Sequence, residues 1–282
     1  METGKLKSML NAWLEEDIGH GDLTSESIVP VSLRSSGVIH AKAAGVIAGL
    51  DLAAEVFRLL DPEIDFRSRV KDGDAVAAGT VLAEVYGSAR ALLSGERLAL
   101  NLLQHLSGIA TKTAAWQKEL AGTQTKLTDT RKTLPGLRQL QKYAVRVGGG
   151  SNHRFGLYDG VLIKDNHIKL AGGIAEAIQA ARERAPHTIK IEVEVETLDG
   201  VEEALAAGAD IIMLDNMEIE TMRQAVALNR GRVLLEASGG IDGKKLAQVA
   251  ATGVDLISAG ALTHSVTGLD ISLDIGEAKG GR

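Results

Sequence analysis

Between Lys126 and His167 the chain gathers side chains suited to holding anions. Arg131 and Lys132 follow directly on a short β-run, with Arg138 seven residues beyond Arg131. Asn152-His153-Arg154 comes after a Gly148-Gly149-Gly150 hinge, and Lys164-Asp165-Asn166-His167 ends a second β-run. So many fixed cations at strand ends and in loops repel one another unless an anion sits among them. The chain carries a net charge of −6, so this cationic patch is local. That charge argues against a general nucleic-acid binder, whose basic excess is global or laid out in a stripe. The cluster reads as a substrate site for a strongly anionic small molecule.

The elements that must position these residues follow from periodicity. After Gly122, strand candidates fall at 125–130, 159–163, 189–195, 210–214, 232–237 and 254–259, with helical patterns at 135–147, 172–184, 199–207, 218–228 and 242–252. Repeated β-then-α units with Val/Ile/Leu-rich strands imply parallel strands covered by helices. Near-constant spacing from Asp215 to Ala237 to Ala259 suits a closed or nearly closed barrel. A doubly wound open sheet is the alternative, but no G-x-G-x-x-G follows the first strand. Six strands are clear, and the flanks leave room for a seventh.

Ahead of this array, 5–17 and 50–60 read as amphipathic helices and 38–42 as a strand. Residues 66–85 form short β-segments broken by Asp72-Gly73 and Ala78-Gly79, similar to the small sandwich of biotin and lipoyl carriers. No suitably flanked lysine occupies a hairpin tip, so the stretch reads as scaffold. Thr24 or Ser25 is placed to cap a helix after the Asp17–Thr24 turn, and Ser94 to cap a long one over 95–120. Residues 269–275 are expected to leave the barrel and rejoin the N-terminal part. The expected organisation is an N-terminal α/β sandwich domain over 1–110, joined by 265–282, and an α/β barrel over 111–264.

A chain of 282 residues, 45% hydrophobic, is long enough for both. It has no cysteine, which excludes disulfides, thiolate metal sites and a cysteine nucleophile. The N-terminus lacks an apolar signal-peptide core, and no uncharged apolar run could cross a bilayer. A cytoplasmic protein with no membrane or nucleic-acid partner is the expectation.

In a β/α barrel the chemistry sits at the carboxyl ends of the strands. Those positions here hold Asp129 with Arg131 and Lys132, then Lys164, Glu194 with Glu196, Asp215 with Asn216, Ser238-Gly239-Gly240, and Gly260. The last two segments lead towards helices with no side chain over the backbone amides, an arrangement that binds phosphate, with His264 just beyond. Glu194 and Asp215 could ligate Mg²⁺ through water, hold ribose hydroxyls, stabilise developing positive charge, or merely balance Lys132 and Lys164.

The strings EDIGHGDLTSESI, GERLALNLLQHLSGIAT, TDTRKTLPGLR, NHRFGLYDGVLIKDNHI, IEVEVETL, IIMLDNM, LEASGGI and GVDLISAGALTHS resemble the quinolinate phosphoribosyltransferases, over nearly the whole chain. The resemblance implies an N-terminal α/β sandwich and an incomplete α/β barrel (the type II phosphoribosyltransferase fold). It implies a homodimer, or a higher oligomer, in which each active site is shared between subunits. The reaction implied joins quinolinate to 5-phosphoribosyl 1-diphosphate with Mg²⁺, giving nicotinate mononucleotide, diphosphate and carbon dioxide on the route to NAD. Carried over by motif, Arg131, His153 and Arg154 would grip the quinolinate carboxylates, with Arg97 from the partner subunit. Lys132 and Lys164 would face the diphosphate and the reacting ring, and Glu194 and Asp215 would serve ribose and metal. Ser238, Gly239, Gly240, Gly260 and His264 would serve the 5-phosphate, and Arg138 matches the motif too. Three other readings stay open: a barrel lyase with Lys164 as Schiff-base amine, a homologous pyrophosphorylase acting on another acid, and a phosphometabolite sensor without turnover.

Overall fold

A computed structural model describes residues 3–276. The chain forms two compact units: one from the residues up to Lys112 together with those from Val266 on, the other Thr113–Ser265.

The first unit begins with helix α1 (Thr3–Ile18), whose Leu10 and Leu14 are buried, and a short α2 (Leu23–Ile28). Asp22 is the cap of α2, its carboxylate accepting from Ser25 N at 3.0 Å, so neither Thr24 nor Ser25 takes that role. Then come β1 (Arg34–Ala41), β2 (Gly45–Val46), α3 (Leu50–Leu60), β3 (Asp65–Ser68), β4 (Ala75–Val76) and β5 (Val81–Ser88). Asp72, in the expected β-turn, accepts from the amides of Gly49 at 2.7 Å and Leu50 at 3.1 Å. It thereby satisfies the N-terminal donors of α3, a structural task that no helix-side residue performs. Helix α4 (Ala89–Glu119) starts a turn and a half before the expected cap. Ser94 lies inside it and donates its hydroxyl to Asp22 at 2.9 Å. The chain's last described strand, β12 (Ile271–Ile275), returns to this unit and pairs antiparallel with β1, with Ile39 opposite Leu273. The main sheet order is β12-β1-β5-β3, beside a β2–β4 pair.

The second unit carries the parallel array: β6 (Lys126–Thr128), α5 (Arg138–Val147), β7 (Val161–Ile163), α6 (Asp165–Ala171), α7 (Ile174–Arg184), β8 (Ile191–Val195), α8 (Leu198–Ala206), β9 (Ile211–Asp215), α9 (Ile219–Asn229), β10 (Leu234–Ser238), α10 (Leu246–Ala250), β11 (Leu256–Ser258) and α11 (Ala261–His264). Its order is β6-β11-β10-β9-β8-β7, all neighbours parallel. β6 and β7 stand at opposite edges and do not pair, so the barrel is incomplete. Where a seventh strand would lie there is a single parallel bridge, Thr128 to Ser151. The segment that continues from it, 152–160, is spent on side-chain bonds rather than on a ladder. An additional helix, α6, forms directly after Lys164 where only a loop was expected.

Period-two alternation sorts each strand. Val193, Ile212, Leu214, Leu235 and Ile257 are at most 1% exposed and face the helical layer. Burying each stabilises the unit by roughly 1.5–3 kcal/mol. Their alternates (Lys164, Glu192, Glu194, Met213, Asp215, Glu236, Ser238, Ser258) turn to the barrel axis and line its cavities. No described helix is long and apolar enough to cross a membrane.

Candidate active site

A cavity of about 740 Å³ opens at the carboxyl ends of these strands. It brings together Arg131, Lys132, His153, Arg154, Lys164, Glu194, Asp215, Ser238, Gly239, Gly240, Gly260 and His264. Two expected residues are not among its lining. Arg97 lies in α4 of the first unit, its side chain 62% exposed and 3.8 Å from Glu96. Arg138, matched by motif and open to a structural role, spends its guanidinium on the protein. It donates to Thr133 Oγ1 at 2.9 Å, the Phe155 carbonyl at 2.9 Å and the Arg131 carbonyl at 3.4 Å, tying two mouth loops together.

Asp129 departs from the strand-end reading. It is wholly buried and accepts from Lys142 Nζ, from Asn152 Nδ2 at 2.6 Å and from the His153 amide at 2.9 Å. Lys142, itself buried, also donates to the His153 carbonyl at 2.9 Å. Burial pushes the Asp129 carboxyl up and the Lys142 amine down, and their mutual attraction offsets part of each. The pair pins the 152–154 segment beneath the cavity. Periodicity gave no sign of Lys142, because a lysine on a polar-looking helix reads as a solvated face.

The guanidinium groups of Arg131 and Arg154 carry the strongest signal. The Nε–H of each is buried with no acceptor among the described residues, and both side chains line the cavity. Burial, followed by the charge of Arg131, holds the Arg154 guanidinium below its ordinary pKa, so the two cations crowd one another. A buried donor left unmade costs roughly 1–3 kcal/mol, more when charged. An acceptor with negative charge relieves both costs at once, and paired carboxylates fit guanidinium forks best. Arg154 Nη1 is fixed by the Gly160 carbonyl at 2.8 Å, which aims the rest of the fork.

On the opposite wall Lys164 Nζ reaches Glu194 Oε2 at 2.6 Å, with the lysine side chain 45% exposed. Lys164 is the N-cap of α6, where the helix dipole opposes a cation. Nothing desolvates this amine, which weakens the Schiff-base reading. Burial, then the charge of Glu194, raises Asp215 above the ordinary carboxylate range. Two carboxylates crowded in this way suit a hard divalent cation, so the pair fits Mg²⁺ held directly or through water.

At the remaining edge, Gly239 has φ +89°, and a Cβ there would lie 2.2 Å from Asn216 Oδ1. Gly260 is compressed differently, with a hypothetical Cβ 2.8 Å from Lys132 Cδ and 2.9 Å from His264 Cδ2. These positions are glycine because side chains of the cavity lie on them. Both loops lead towards helices, as expected, at different distances. Gly260 does cap α11, but α10 begins only at Leu246, several residues after Gly240. Sequence reasoning passed over Thr130, Met213 and Ile241 in this wall. Met213 was legible as the inward alternate two residues before Asp215.

The fold and cavity define an α/β-barrel site for polyanions, lined by arginine, lysine and glycine on three sides and carboxylate on the fourth. Matches to family models are those of the quinolinate phosphoribosyl transferase N-terminal domain, over residues 22–107, and C-terminal domain, over 109–274. A relative named probable nicotinate-nucleotide pyrophosphorylase [carboxylating], from Bacillus subtilis, is 52% identical over 271 residues, 96% of this chain and 93% of its own length. One from Mycobacterium leprae, named nicotinate-nucleotide pyrophosphorylase [carboxylating], is 46% identical over 93% of this chain and 94% of its own. The crystal structure of NadC from Streptococcus pyogenes superposes with a TM-score of 0.94 at 46% identity, covering 97% of both chains. The chain belongs to the quinolinate phosphoribosyltransferase family.

Proposed function

We propose that this enzyme joins quinolinate to 5-phosphoribosyl 1-diphosphate and releases nicotinate mononucleotide, diphosphate and carbon dioxide, for NAD biosynthesis. The carrying observation is the pair of buried, acceptor-free Nε–H groups on Arg131 and Arg154 in one cavity. Two adjacent carboxylates on a flat ring answer that arrangement, and a monoacid leaves one guanidinium unpaired.

The remaining residues divide by charge. Lys132 and Lys164 lie where a diphosphate leaving group gains negative charge, and ammonium groups placed in advance lower that barrier without reorganisation. Departure of diphosphate leaves an oxocarbenium-like ribose, which Glu194 and Asp215 tolerate by their own charge. The same two carboxylates would hold Mg²⁺, which when bound neutralises diphosphate charge. Gly239, Gly240, Gly260, Ser238 and His264 take the 5-phosphate, where only hydrogen atoms separate ligand from backbone. Attack by the pyridine nitrogen makes the ring cationic. The electrons of the C–CO₂ bond then fall back into that ring, and a proton replaces the lost carbon dioxide. Residues around the ring need only keep it in plane.

Arg97 comes to the site from a second copy, and the active form is a homodimer with shared sites. Mixing inactive Arg97→Ala and Lys164→Ala proteins is expected to restore part of the activity through mixed dimers. Mixed dimers that stay inactive would remove Arg97 from the site. The central test compares quinolinate, nicotinate and nicotinamide as acceptors, following diphosphate and carbon dioxide release. Turnover with quinolinate alone is expected, and equal turnover with nicotinate would overturn the reading.

A further inference from the structure

Below the active-site cavity the barrel holds a second one, of about 490 Å³, whose walls include Glu192, Glu236, Ile211, Leu256 and Thr128. His153 and Arg154 line both cavities and so stand between them. A barrel interior is ordinarily filled by branched apolar side chains. Here the layer under the site instead carries two glutamates, Glu192 from β8 and Glu236 from β10, 4% and 1% exposed. His153 Nε2 lies 3.0 Å from Glu192 Oε2 and 3.7 Å from Glu236 Oε1. The other ring nitrogen, Nδ1, accepts from the Arg154 amide at 2.8 Å. Both nitrogens of His153 are therefore engaged with protein, and the imidazole has no N–H left to offer the upper cavity.

We infer that Glu192 and Glu236 are positioning residues, which hold His153 as the Nε2–H tautomer so that its bare Nδ1 fixes the Arg154 backbone and aims the Arg154 guanidinium. Arg154 is then the contact to the acid, and His153 acts through it. The inference deepens the proposed reaction and rests on it for the identity of the acid. The groups facing the ring pull in both directions. Burial lowers His153, but the Glu192 hydrogen bond and the charges of Glu236 and Glu192 outweigh it and favour a second proton on the ring. The nearby Lys142 opposes that proton, and the Arg154 amide needs Nδ1 bare. Both demands are met when the extra proton sits on Glu236. Burial and the charge of Glu192, with Asp129 adding less, push Glu236 up to about 7, against the pull of His153 and Ser258.

The direct test is ¹⁵N NMR of the histidine-labelled full-length enzyme, with His153 assigned by its loss in His153→Gln. The expected spectrum has a protonated Nε2 and an unprotonated, hydrogen-bonded Nδ1 at about pH 6, where Glu236 keeps its proton. A protonated Nδ1, or free titration near the ordinary histidine value, would sink the inference. So would an Nε2 that gains its proton only after chelation, because the three ligand atoms lie within 4.8 Å of one another and a divalent cation would then be the true occupant. The second arm measures equilibrium binding of quinolinate and of the phosphoribosyl donor. Glu192→Leu is expected to weaken the acid roughly tenfold or more while the donor shifts less than twofold, and Glu192→Gln, which still accepts from Nε2–H, restores the acid. Equal loss for both ligands means a general structural role and overturns the inference. If the wild type binds no quinolinate at all, the functional reading fails while the NMR arm still decides the tautomer.

Discussion

Two lysine–carboxylate pairs stand at strand ends of the same barrel and do opposite work. Lys142 and Asp129 are both 0% exposed, and the lysine makes a further bond to a backbone carbonyl. Lys164 and Glu194 are 45% and 13% exposed and face the cavity. The chemistry of the groups is the same; the solvent differs. In the buried pair each charge depends on the other, since removing one strands its partner in a low-dielectric interior. In the open pair water and salt screen the attraction, so little stability rests on it and either group is free to meet a ligand.

The comparison breaks most sharply on removal of one lysine from each pair. Lys142→Met is expected to destabilise the protein by about 3–5 kcal/mol in chemical denaturation, with loss of activity because His153 and Arg154 lose their anchor. A cost under ~1 kcal/mol would show that Asp129 is not held ionised. Lys164→Met should leave stability within about 1 kcal/mol. Its kcat/KM is expected to fall by roughly 10²–10³. Unfolding of that variant would make the open pair structural after all.

A finer probe is Glu236. Its folded pKa, about 7, lies above the ordinary glutamate value of roughly 4.3. Its favourable contribution is therefore full below that lower value and is lost as pH rises towards 7. Glu236→Gln should flatten this decline and stabilise the protein at pH 8 by on the order of 1–3 kcal/mol relative to wild type. Parallel stability–pH curves for the two proteins would place the proton elsewhere. The smallest effect is expected at Arg138. Arg138→Lys keeps the charge but loses the fork to Thr133 Oγ1 and two carbonyls. About 1 kcal/mol of stability should go, with the KM for the acid rising more than kcat falls; an unchanged KM would uncouple the two mouth loops.

Much of the site was legible because the strand period is two. Lys164, Glu194, Asp215 and Ser238 end strands at inward positions, and each lines the cavity. The same period, two residues further back, reaches Glu192 and Glu236, which lie below the strand ends where barrel chemistry is expected. Asp129 was misread, and the role of Arg138 left open, for the converse reason. Sequence records that a charge is present but not whether a backbone carbonyl or a buried lysine already answers it. The failed cap at Ser94 is similar, since at the earlier start Ser88 Oγ accepts from the Ala91 amide and the Ala89 amide bonds to the Leu33 carbonyl, far along the chain.

Local chemistry alone determined the alternation of strand and helix, the inward set on each strand, the glycines at two strand ends and the acidic frame around a basic patch. Those features depend on steric and hydrophobic preferences repeated within a few residues. Tertiary structure decided which cations keep unspent donors and which carboxylates lose their water. Dielectric and hydrogen-bond partners are set by whatever segments meet in space, here Asp129 with Lys142 and His153 with Glu192 and Glu236, and no local pattern encodes that meeting.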